Sequence, residues 1–449
     1  MNRDSRPRSS PSRGARSQQE RDEEEAVIVD ASELIESIPG EPSLRVISRL
    51  QRSGYEAYLV GGCVRDLLIG LTPKDYDVAT SAHPRQVRRL FPRNSHIIGR
   101  RFRLVHVRYG PDTVIETATF RAEPQQSGDE DDLLIVEDNT FGTAMEDARR
   151  RDFTVNGLLL DPNRRVVIDH VGGLEDLDRG VLRTIGDPFV RIPEDPVRIL
   201  RAIKFATRLG FHIEDDTWDA ICDAAPDLAR SAPPRVTEEV LRLMRSGTAL
   251  GAFQKLRHCG ALEVILPELD EHLGPRDSDD PKDRKRQSAF VALLEALDGY
   301  VHDGFEPSTA ICIAILYHDI AERQANEETR TLPGEPSDLH DVTGEVIERI
   351  TTKARLSRRD SGRARRIIYQ QSRFLGPFGR RFRPSLFCLS EEFPESLDLF
   401  RLRCEAKGEG WDIYKSWVER YQAAQDLGDD EVEKERKRAR RGRRRRRKR

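Results

Sequence analysis

The sequence lacks any apolar run long enough to span a membrane, and its N-terminus lacks the hydrophobic segment of a secretory signal. Its six cysteines are scattered without the spacing of a metal site, which indicates reduced thiols. It also lacks internal repeats. These absences predict a cytoplasmic protein without a membrane partner, and the 449 residues suffice for two or three domains.

Positive and negative charges are unevenly distributed along the chain. Residues 436–449, RKRARRGRRRRRKR, contain twelve basic side chains, so the overall net charge of −3 leaves −15 for the residues before them. A basic segment on an acidic protein predicts a polyanionic partner, because cationic side chains that neutralise phosphates release counterions. The pattern identifies only a charge class, since basic arms also occur in proteins that associate with ribosomes or membranes.

A glycine pair lies between a predicted strand and a predicted helix. The apolar run Tyr58–Val60 ends in Gly61 and Gly62, and a helical pattern follows at Val64–Ile69. Glycine lets the backbone approach an anion closely, and a helix N-terminus offers unpaired N–H groups. We therefore expect this turn to bind phosphate, with an ordinary turn as the alternative.

Asp75 and Asp77 follow in the next predicted strand, where a spacing of two places both side chains on one face. Two aspartates on one strand face repel each other unless a cation lies between them. Magnesium commonly takes one or two carboxylates together with substrate phosphates. The pair therefore predicts a metal site for phosphoryl or nucleotidyl transfer, and a solvated edge strand is the alternative.

Two further acids and an arginine are candidates for the same site. Glu116 lies in the strand pattern 114–120, on the face that we predict to be apolar, so its carboxylate needs a metal or a buried arginine as partner. Arg151 and Asp152 occur in the segment RRRDFTVN, and the arginine fork suits a triphosphate because it binds two oxygens. A surface ion pair between Asp147 and Arg151 is the simpler alternative.

The segment EDPVRILRAIK, residues 194–204, combines a helix start with a basic stripe. Asp195 and Pro196 have the form of an N-cap and a first helical residue, which by itself accounts for them. If Asp195 and Arg198 face a nucleobase instead, the carboxylate accepts one hydrogen bond and the guanidinium donates another. That pattern fits adenine and cytosine and leaves buried polar groups unpaired against guanine and uracil.

His318 and Asp319 follow an apolar run and have the form of the dyad in metal-dependent phosphohydrolases of the HD type. Such a site needs more histidine and aspartate ligands than the sequence identifies. A helix-end histidine and aspartate is therefore the simpler interpretation.

Together these segments resemble the bacterial poly(A) polymerase and CCA-adding enzyme family, the class II nucleotidyltransferases. The matching segments cover roughly residues 44–250 and run in one order: LVGGCVRDLL, PKDYDVAT, VIETATFR, RRDFTVN, DHVGGLEDL, RTIGDP and EDPVRILRAIKFATRLGF. Several ordered motifs are more specific than any one of them. Within the family, IIGRRFRLVHV, DNTFGTAMEDARRRDF and the arginine-rich terminus are similar to the poly(A) polymerase branch.

The resemblance implies roles for individual residues. Asp75 and Asp77 correspond to the metal carboxylates, and Glu116 and Asp152 correspond to further acidic positions of the active site. Lys204 replaces an arginine that is usual in the family, which weakens any bidentate contact there. The predicted nucleotide-binding residues are Gly61, Gly62, Arg65, Arg151, Asp195, Arg198 and Arg201.

The fold that the resemblance implies is α+β, with a small mixed α/β nucleotidyltransferase head, all-α neck and body domains, and a disordered basic tail. The expected divisions are a disordered arm at 1–40, the head at 41–188, the neck at 189–250, the body at 251–425 and the tail at 426–449. In the head we expect strands at Ser95–Tyr109 and Thr113–Arg121 and an acidic loop at 123–140. Beyond Pro196 we expect only helices and loops.

The expected function is magnesium-dependent, template-independent addition of adenylate from ATP to RNA 3′ ends by a two-metal mechanism. The expected partners are RNA 3′ ends, ATP, and RNA-decay or ribosome-associated proteins. A CCA-adding enzyme that acts on tRNA is the alternative of the same chemistry. A non-catalytic RNA-binding adaptor is the alternative of another class, and the intact aspartate pair argues against it.

Overall fold

The computed structural model of the protein describes residues 26–38, 40–99, 104–111, 113–122, 140–331, 344–345, 348, 357–376 and 382–427. Two compact units divide the chain. The first comprises residues 1–194 and 212–217, and the second comprises residues 195–211 and 218–449. Three predicted segments lie outside the described residues: 1–25 of the arm, 123–139 of the acidic loop and 428–449 of the tail.

An eight-stranded mixed sheet forms the centre of the first unit, with the spatial order β1-β8-β7-β2-β3-β6-β5-β4. The strands β3 and β6 are parallel, and the other neighbouring pairs are antiparallel. The strands are β1 (Val27–Asp30), β2 (Ala57–Val60), β3 (Val78–Thr80), β4 (Ser95–Ile98), β5 (Leu104–Tyr109), β6 (Thr113–Thr119), β7 (Leu159–Asp161) and β8 (Val166–Asp169). A separate parallel pair consists of β9 (Val181–Leu182) and β10 (His212–Ile213).

Helix α2 packs on one face of this sheet, whereas Ala144 of α5 belongs to a second core on the other face. Val46, Ile47 and Leu50 recur at helical spacing in α2 and are fully buried in one core with Val78 and Ile115 of the strands. The helices are α1 (Ser32–Ser37), α2 (Pro42–Arg52), α3 (Gly62–Leu68), α4 (Pro84–Leu90), α5 (Ala144–Arg149), α6 (Gly173–Arg179) and α7 (Pro188–Glu194), with a 3-10 turn at Thr154–Asn156.

The structure corrects three expectations about these elements. The strand β1 and helix α1 fall within residues 1–40, predicted to be disordered, because β1 gains backbone hydrogen bonds by pairing with β8. Ser95–Tyr109 forms two antiparallel strands rather than one. His212–Ile213 is a strand where only helices and loops were expected, and two residues are too few to carry a periodic pattern.

The second unit is helical throughout its described residues, which confirms the predicted all-α part of the fold. Phe374, Phe393, Phe400 and Trp417 form the centre of an aromatic core near its C-terminal end. The helices are α8 (Val197–Leu209), α9 (Asp215–Ala224, which begins in the first unit), α10 (Pro233–Met244), α11 (Ala249–His258), α12 (Ala261–Ile265), α13 (Pro267–Leu273), α14 (Pro281–His302), α15 (Thr309–Thr331), α16 (Arg358–Leu375), α17 (Pro384–Cys388), α18 (Phe393–Lys407) and α19 (Trp411–Gln425), with a 3-10 segment at Ala225–Arg230. Among the described helices, none is both long and apolar enough to cross a bilayer.

Candidate active site

The predicted strand, glycine turn and helix are present as β2, Gly61 and α3. Gly61 has a φ of +74°, a conformation that side chains other than glycine rarely adopt. A Cβ atom at this position would lie 2.8 Å from Nη1 of Arg151. Gly61 is therefore required both for the turn and for the close approach of a guanidinium to the backbone.

Arg151 lies beside this turn with part of its hydrogen-bonding capacity unused. Its Nη2 donates to Asp147 Oδ2 at 3.1 Å, which is the ion pair that the spacing of four residues predicts. Its Nη1 lies 3.4 Å from the Asn156 carbonyl oxygen, and its buried Nε has no hydrogen-bond partner among the residues that the structure describes. A half-buried guanidinium with a donor left over is suited to an anionic ligand.

The two candidate metal carboxylates directly precede β3. The prediction placed Asp75 and Asp77 within a strand, but β3 begins only at Val78. The ladder nevertheless continues to Asp77, whose carbonyl oxygen accepts a hydrogen bond from the Val60 N–H at 3.1 Å. Both aspartates are exposed, as metal-binding carboxylates of a substrate cleft must be.

Strand register places Glu116 beside Asp77. Val78 pairs with Thr117 in the parallel β3–β6 ladder, so one step back along both strands brings Asp77 next to Glu116 on the opposite face from Val78. The prediction that Glu116 shares a buried apolar face is wrong, because β6 buries Ile115 and leaves Glu116 exposed. Glu116 Oε1 lies 3.2 Å from His106 Nε2, its cross-strand neighbour on β5.

The pKa of Asp77 is raised by desolvation first and by the neighbouring carboxylates second. Although Asp77 is exposed, desolvation by its surroundings is the largest cause that raises its pKa, to about 6, and the nearby carboxylates of Glu116 and Asp75 act in the same direction. Arg151 opposes them. A carboxyl group with so high a pKa is one that a bound cation would stabilise in its charged form.

Arg65 occupies a buried polar network rather than an open position. It is 1% exposed, and its Nε and Nη2 donate to Asp66 Oδ1 at 2.8 and 2.6 Å. Its Nη1 donates to Asn156 Oδ1 at 2.6 Å, and the Asn156 amide in turn donates to Asp152 Oδ1 at 3.0 Å. This burial is at odds with the prediction that Arg65 contacts the triphosphate directly. The geometry instead makes it a support that joins α3 to the RRDFTVN segment.

Asp152 closes the same network at its other end. Its Oδ1 also accepts the Phe153 N–H at 2.9 Å, immediately before the 3-10 turn at Thr154–Asn156. The next layer of contacts fixes that turn, because Thr154 Oγ1 donates to Asp176 Oδ2 at 2.7 Å and Asp176 pairs with Arg183. Asp152 thus positions the segment that carries Arg151.

The predicted base-selecting residues belong to the second unit. Helix α8 begins at Val197 with Pro196 as its N-cap, one residue later than the predicted cap at Asp195, and the Asp195 carbonyl oxygen accepts the Arg198 N–H at 2.9 Å. Its carboxylate instead accepts a hydrogen bond from Arg235 Nη2 at 2.8 Å. Arg198 is 7% exposed.

The basic stripe of α8 meets a buried acid. Lys204 Nζ donates to Glu239 Oε2 at 2.6 Å, whereas Arg201 Nη1 lies 3.9 Å from Glu239 Oε1. Both cations lie near the ring of Phe205. Burial lowers the pKa of Lys204, and the hydrogen bond that Lys204 donates to Glu239 opposes that change.

His318 and Asp319 do not assemble a metal site. His318 is buried with Nδ1 3.2 Å from the Ile315 carbonyl oxygen, and Asp319 Oδ2 lies 2.7 Å from His272 Nε2. This hydrogen bond is the largest cause that lowers the pKa of Asp319, to about 2. The described residues contain no group of three metal-ligating side chains, here or elsewhere, so the phosphohydrolase interpretation has no support.

The same finding limits what the active-site carboxylates could hold. Asp75, Asp77 and Glu116 do not form a complete protein cage for a metal within the described part of the chain. An exposed pair of hard oxygen donors, with a third acid on the neighbouring strand, still fits magnesium, which usually keeps water and substrate phosphates as its other ligands.

Sequence reasoning missed four residues that shape the site. Asn156 links Arg65 to Asp152, His106 pairs with Glu116, and Arg235 pairs with Asp195. The fourth, Asp66, is the buried partner of Arg65. A signal existed for Asp66 and Asn156, since both lie within the motifs already singled out, but contacts across strands and helices leave no such local pattern.

Comparison with known proteins agrees with this geometry. Residues 57–183 match the poly A polymerase head domain, residues 210–273 match the probable RNA and SrmB-binding site of polymerase A, and residues 335–449 match the polymerase A arginine-rich C-terminus. Poly(A) polymerase I of Haemophilus influenzae is 34% identical over 391 residues, which are 85% of this chain and 84% of that protein.

The CCA-adding enzymes are also similar. That of Geobacillus kaustophilus is 40% identical over 265 residues, 58% of this chain and 64% of that protein. The crystal structure of the Bacillus stearothermophilus CCA-adding enzyme in complex with CTP superposes with a TM-score of 0.61 at 24% identity, over 86% of this chain and 82% of that one. This structural likeness confirms the α+β fold.

An α+β head with clustered carboxylates, followed by a helical unit, defines the class of RNA nucleotidyltransferases. Within that class, the chain belongs to the bacterial poly(A) polymerase family. It is accordingly an enzyme that adds adenylate to RNA, with CCA-adding enzymes as the close alternative. Enzymes of this family normally use a divalent metal ion.

Proposed function

We propose that the protein extends RNA 3′ ends with adenylate from ATP and uses magnesium held by Asp75 and Asp77. The observation that carries this proposal is geometric: strand register places Asp77 beside Glu116, and the guanidinium of Arg151 abuts the glycine turn at Gly61. The raised pKa of Asp77 agrees with this arrangement. Repelling carboxylates that remain exposed make sense where a cation binds during function.

The chemistry assigned to the metal is the usual one for this reaction. Bound magnesium would activate the primer 3′-hydroxyl and stabilise the charge on the departing pyrophosphate. Asp75 and Asp77 would hold it, and Glu116 would complete the ligand set directly or orient a ligand. Asp152 would act indirectly, because its Oδ1 already accepts two hydrogen bonds that fix the Arg151 segment.

The triphosphate is assigned to the turn beside Arg151. Gly61 leaves space at the backbone, and the guanidinium of Arg151 supplies the positive charge there. Gly62 contributes by beginning helix α3 directly after the turn, and Arg65 contributes by holding that helix to Asn156.

Selection of the base is assigned to Asp195 and Arg198. Asp195 would accept the adenine amino hydrogen, and Arg198 would donate to the neighbouring ring nitrogen. The hydrogen bond from Arg235 would keep the Asp195 carboxylate oriented. Arg201 would add positive charge on the same helix. This pairing alone admits both ATP and CTP, so it does not distinguish a poly(A) polymerase from a CCA-adding enzyme.

One assay tests the proposal and its alternative together. Purified protein is given magnesium, each nucleoside triphosphate singly, and then a mixture of ATP and CTP, with two primers: a generic oligoribonucleotide and a tRNA lacking its last three nucleotides. We expect long adenylate tails on both primers with ATP. Addition that stops after C, C and A on the tRNA alone would establish the CCA-adding alternative, and no extension of either primer would refute both.

A further inference from the structure

The helices that cover the sheet carry an unbalanced set of arginines on their outer surface. Three lie on α2 and three on α4, and one follows α4 before β4. All are exposed, and none forms an ion pair with any residue that the structure describes. We name this surface the arginine face: Arg45, Arg49, Arg52, Arg85, Arg88, Arg89 and Arg93.

The surrounding sequence does not neutralise this charge. Residues 78–111 contain eight arginines and no aspartate or glutamate, and α2 itself contains no acid. Residues 1–435, taken as a whole, are acidic with a net charge of −15, so the arginine face differs in sign from the rest of this part of the chain. A surface that serves only solubility usually mixes both signs, because a patch of one sign repels itself. The arginine face is therefore suited to a polyanion.

The arginines of α2 are arranged along a groove. Arg45, Arg49 and Arg52 are spaced by four and three residues, so they follow one side of the helix at rises of about 6 and 4.5 Å. They line an open groove of about 690 Å³ together with Ser48 and Asn163, which offer further hydrogen-bonding groups. The one acid among the residues that line it, Glu41, accepts a hydrogen bond from the Ser43 N–H at the start of α2.

The arginine face lies on the covered side of the sheet, but the edge strand β4 connects it to the acid side. Helix α4 precedes β4 directly in the chain. His96 of β4 is exposed, and it pairs in register with His106, the neighbour of Glu116. Three strand spacings separate β3 from β4, a distance of about 15 Å. A single-stranded polyanion that leaves Asp77 and Glu116 could thus pass over β5 and β4 and reach α4.

We propose that the arginine face binds the phosphate backbone of the RNA upstream of the 3′ end that is extended. The inference rests on the proposed function, since it takes RNA as the substrate. Arginine binds phosphate oxygens through its fork and keeps its charge at any working pH. None of the large hydrophobic side chains that are exposed in the described residues lies on α2 or α4, and a protein partner would normally need such anchors.

The test compares two triple variants of the full-length protein. One replaces the groove arginines, Arg45→Gln with Arg49→Gln and Arg52→Gln. The control, Lys282→Gln with Arg284→Gln and Lys285→Gln, removes three exposed cations from the start of α14, where Asp277, Asp279 and Asp280 balance them. Binding of a single-stranded RNA of about 30 nucleotides is measured by fluorescence anisotropy across a salt series, without ATP or magnesium.

We expect the groove variant to reduce the slope of log K against log [salt] by about 2, since each lost phosphate contact on a single strand removes about 0.7. Its affinity for the long RNA should fall about tenfold or more at physiological salt, while a primer of about six nucleotides is extended at the wild-type rate at saturation. The control variant should retain the wild-type slope. A groove variant with the wild-type slope would overturn the proposal. An acidic protein would then be the expected partner of the arginine face.

The outcome is separable from that of the proposed function. Binding is measured without nucleotide or metal, so a protein that fails to add adenylate can still show the expected change in slope. Conversely, extension of the short primer by the groove variant would support the proposed function even if its RNA affinity were unchanged. Thermal unfolding of each variant is the control for folding. Because all three arginines are exposed, we expect an unchanged Tm, and a loss of affinity then reflects the missing charges.

Discussion

The two faces of the eight-stranded sheet use the same strands for different purposes. On one face Asp77 and Glu116 lie side by side and exposed, whereas on the other Val78 and Ile115 are buried under helices. At these two places, neighbouring residues of the chain therefore belong one to the proposed reaction and the other to the core. The comparison predicts that moving a substitution by one position, from Asp77 to Val78 or from Glu116 to Ile115, should convert a loss of catalysis into a loss of stability.

The largest effect is expected on the acid face, for Asp77→Asn. The substitution keeps the shape of the side chain and removes the charge that would hold the metal, so kcat for RNA extension should fall about 10³-fold, or about 4 kcal/mol of transition-state stabilisation. Single-turnover primer extension measures it. Asp178→Asn, which changes an exposed acid on α6, is the matched control and should retain the wild-type rate. Extension by Asp77→Asn at more than a tenth of the wild-type rate would contradict the proposal that Asp77 holds the metal.

The next effect tests the covered face, for Phe91→Ala. Phe91 is 1% exposed in the core between helices and sheet, so its loss should lower the free energy of unfolding by about 3 kcal/mol through a cavity. Urea denaturation measures the change. The kcat of the folded variant on a saturating short primer should stay within a factor of about three, since the ring packs in the core and against Arg49, away from the carboxylates.

A matched control for Phe91→Ala lies at the sheet edge. Ile98 is 44% exposed, so Ile98→Ala should cost less than about 1 kcal/mol. Equal destabilisation by the two substitutions would contradict the distinction between the faces.

A smaller effect is expected for Glu116→Gln, which leaves Asp75 and Asp77 in place. The rate should fall about 10- to 100-fold if Glu116 assists at the metal. Because the Glu116 carboxylate helps to raise the pKa of Asp77, its removal should also lower that pKa and move the acid limb of the pH–rate profile to lower pH. If the pH–rate profile of Glu116→Gln keeps the wild-type acid limb, the group that titrates in this limb is not Asp77. His106→Gln, which removes only the partner of Glu116, should change the rate less.

The alternation of faces was only partly predictable from the sequence. The glycine turn, the ion pair of Asp147 with Arg151 and the helical second unit follow from local spacing, and all are present. The face of Glu116 was predicted wrongly, because Val114 and Phe120 suggested an apolar stripe whereas the helices pack on Ile115.

The features that the sequence did not predict depend on contacts between residues far apart in the chain. Asn156 meets Arg65 across 91 positions of chain, and Arg235 meets Asp195 across 40. The edge strand β1 was missed for the same reason, since it is held by pairing with β8 rather than by its own pattern. Local periodicity carries no information about such partners.

The smallest expected effect concerns stability on the acid face, and it has the opposite sign to the catalytic one. The pKa of Asp77 is raised from 3.8 to about 6 on folding, so between these values the folded protein binds more protons than the unfolded chain. Stability from this group is therefore greatest at low pH and is lost as the pH rises from about 4 to about 6. In metal-free buffer, Asp77→Asn should unfold about 1–3 °C above the wild type at neutral pH, with no difference near pH 4.

Calorimetry at both pH values, with and without magnesium, completes this test. Magnesium should raise the Tm of the wild type at neutral pH, because it binds the folded protein and relieves the carboxylate repulsion, and it should raise that of Asp77→Asn far less. The Asp178→Asn variant should respond to magnesium as the wild type does. The Tm of Asp77→Asn could instead differ from that of the wild type by the same amount at both pH values. Ionisation of Asp77 would then not destabilise the folded protein. The two faces of the sheet would then differ in which residues helices cover, but ionised carboxylates on the acid face would not destabilise the folded protein.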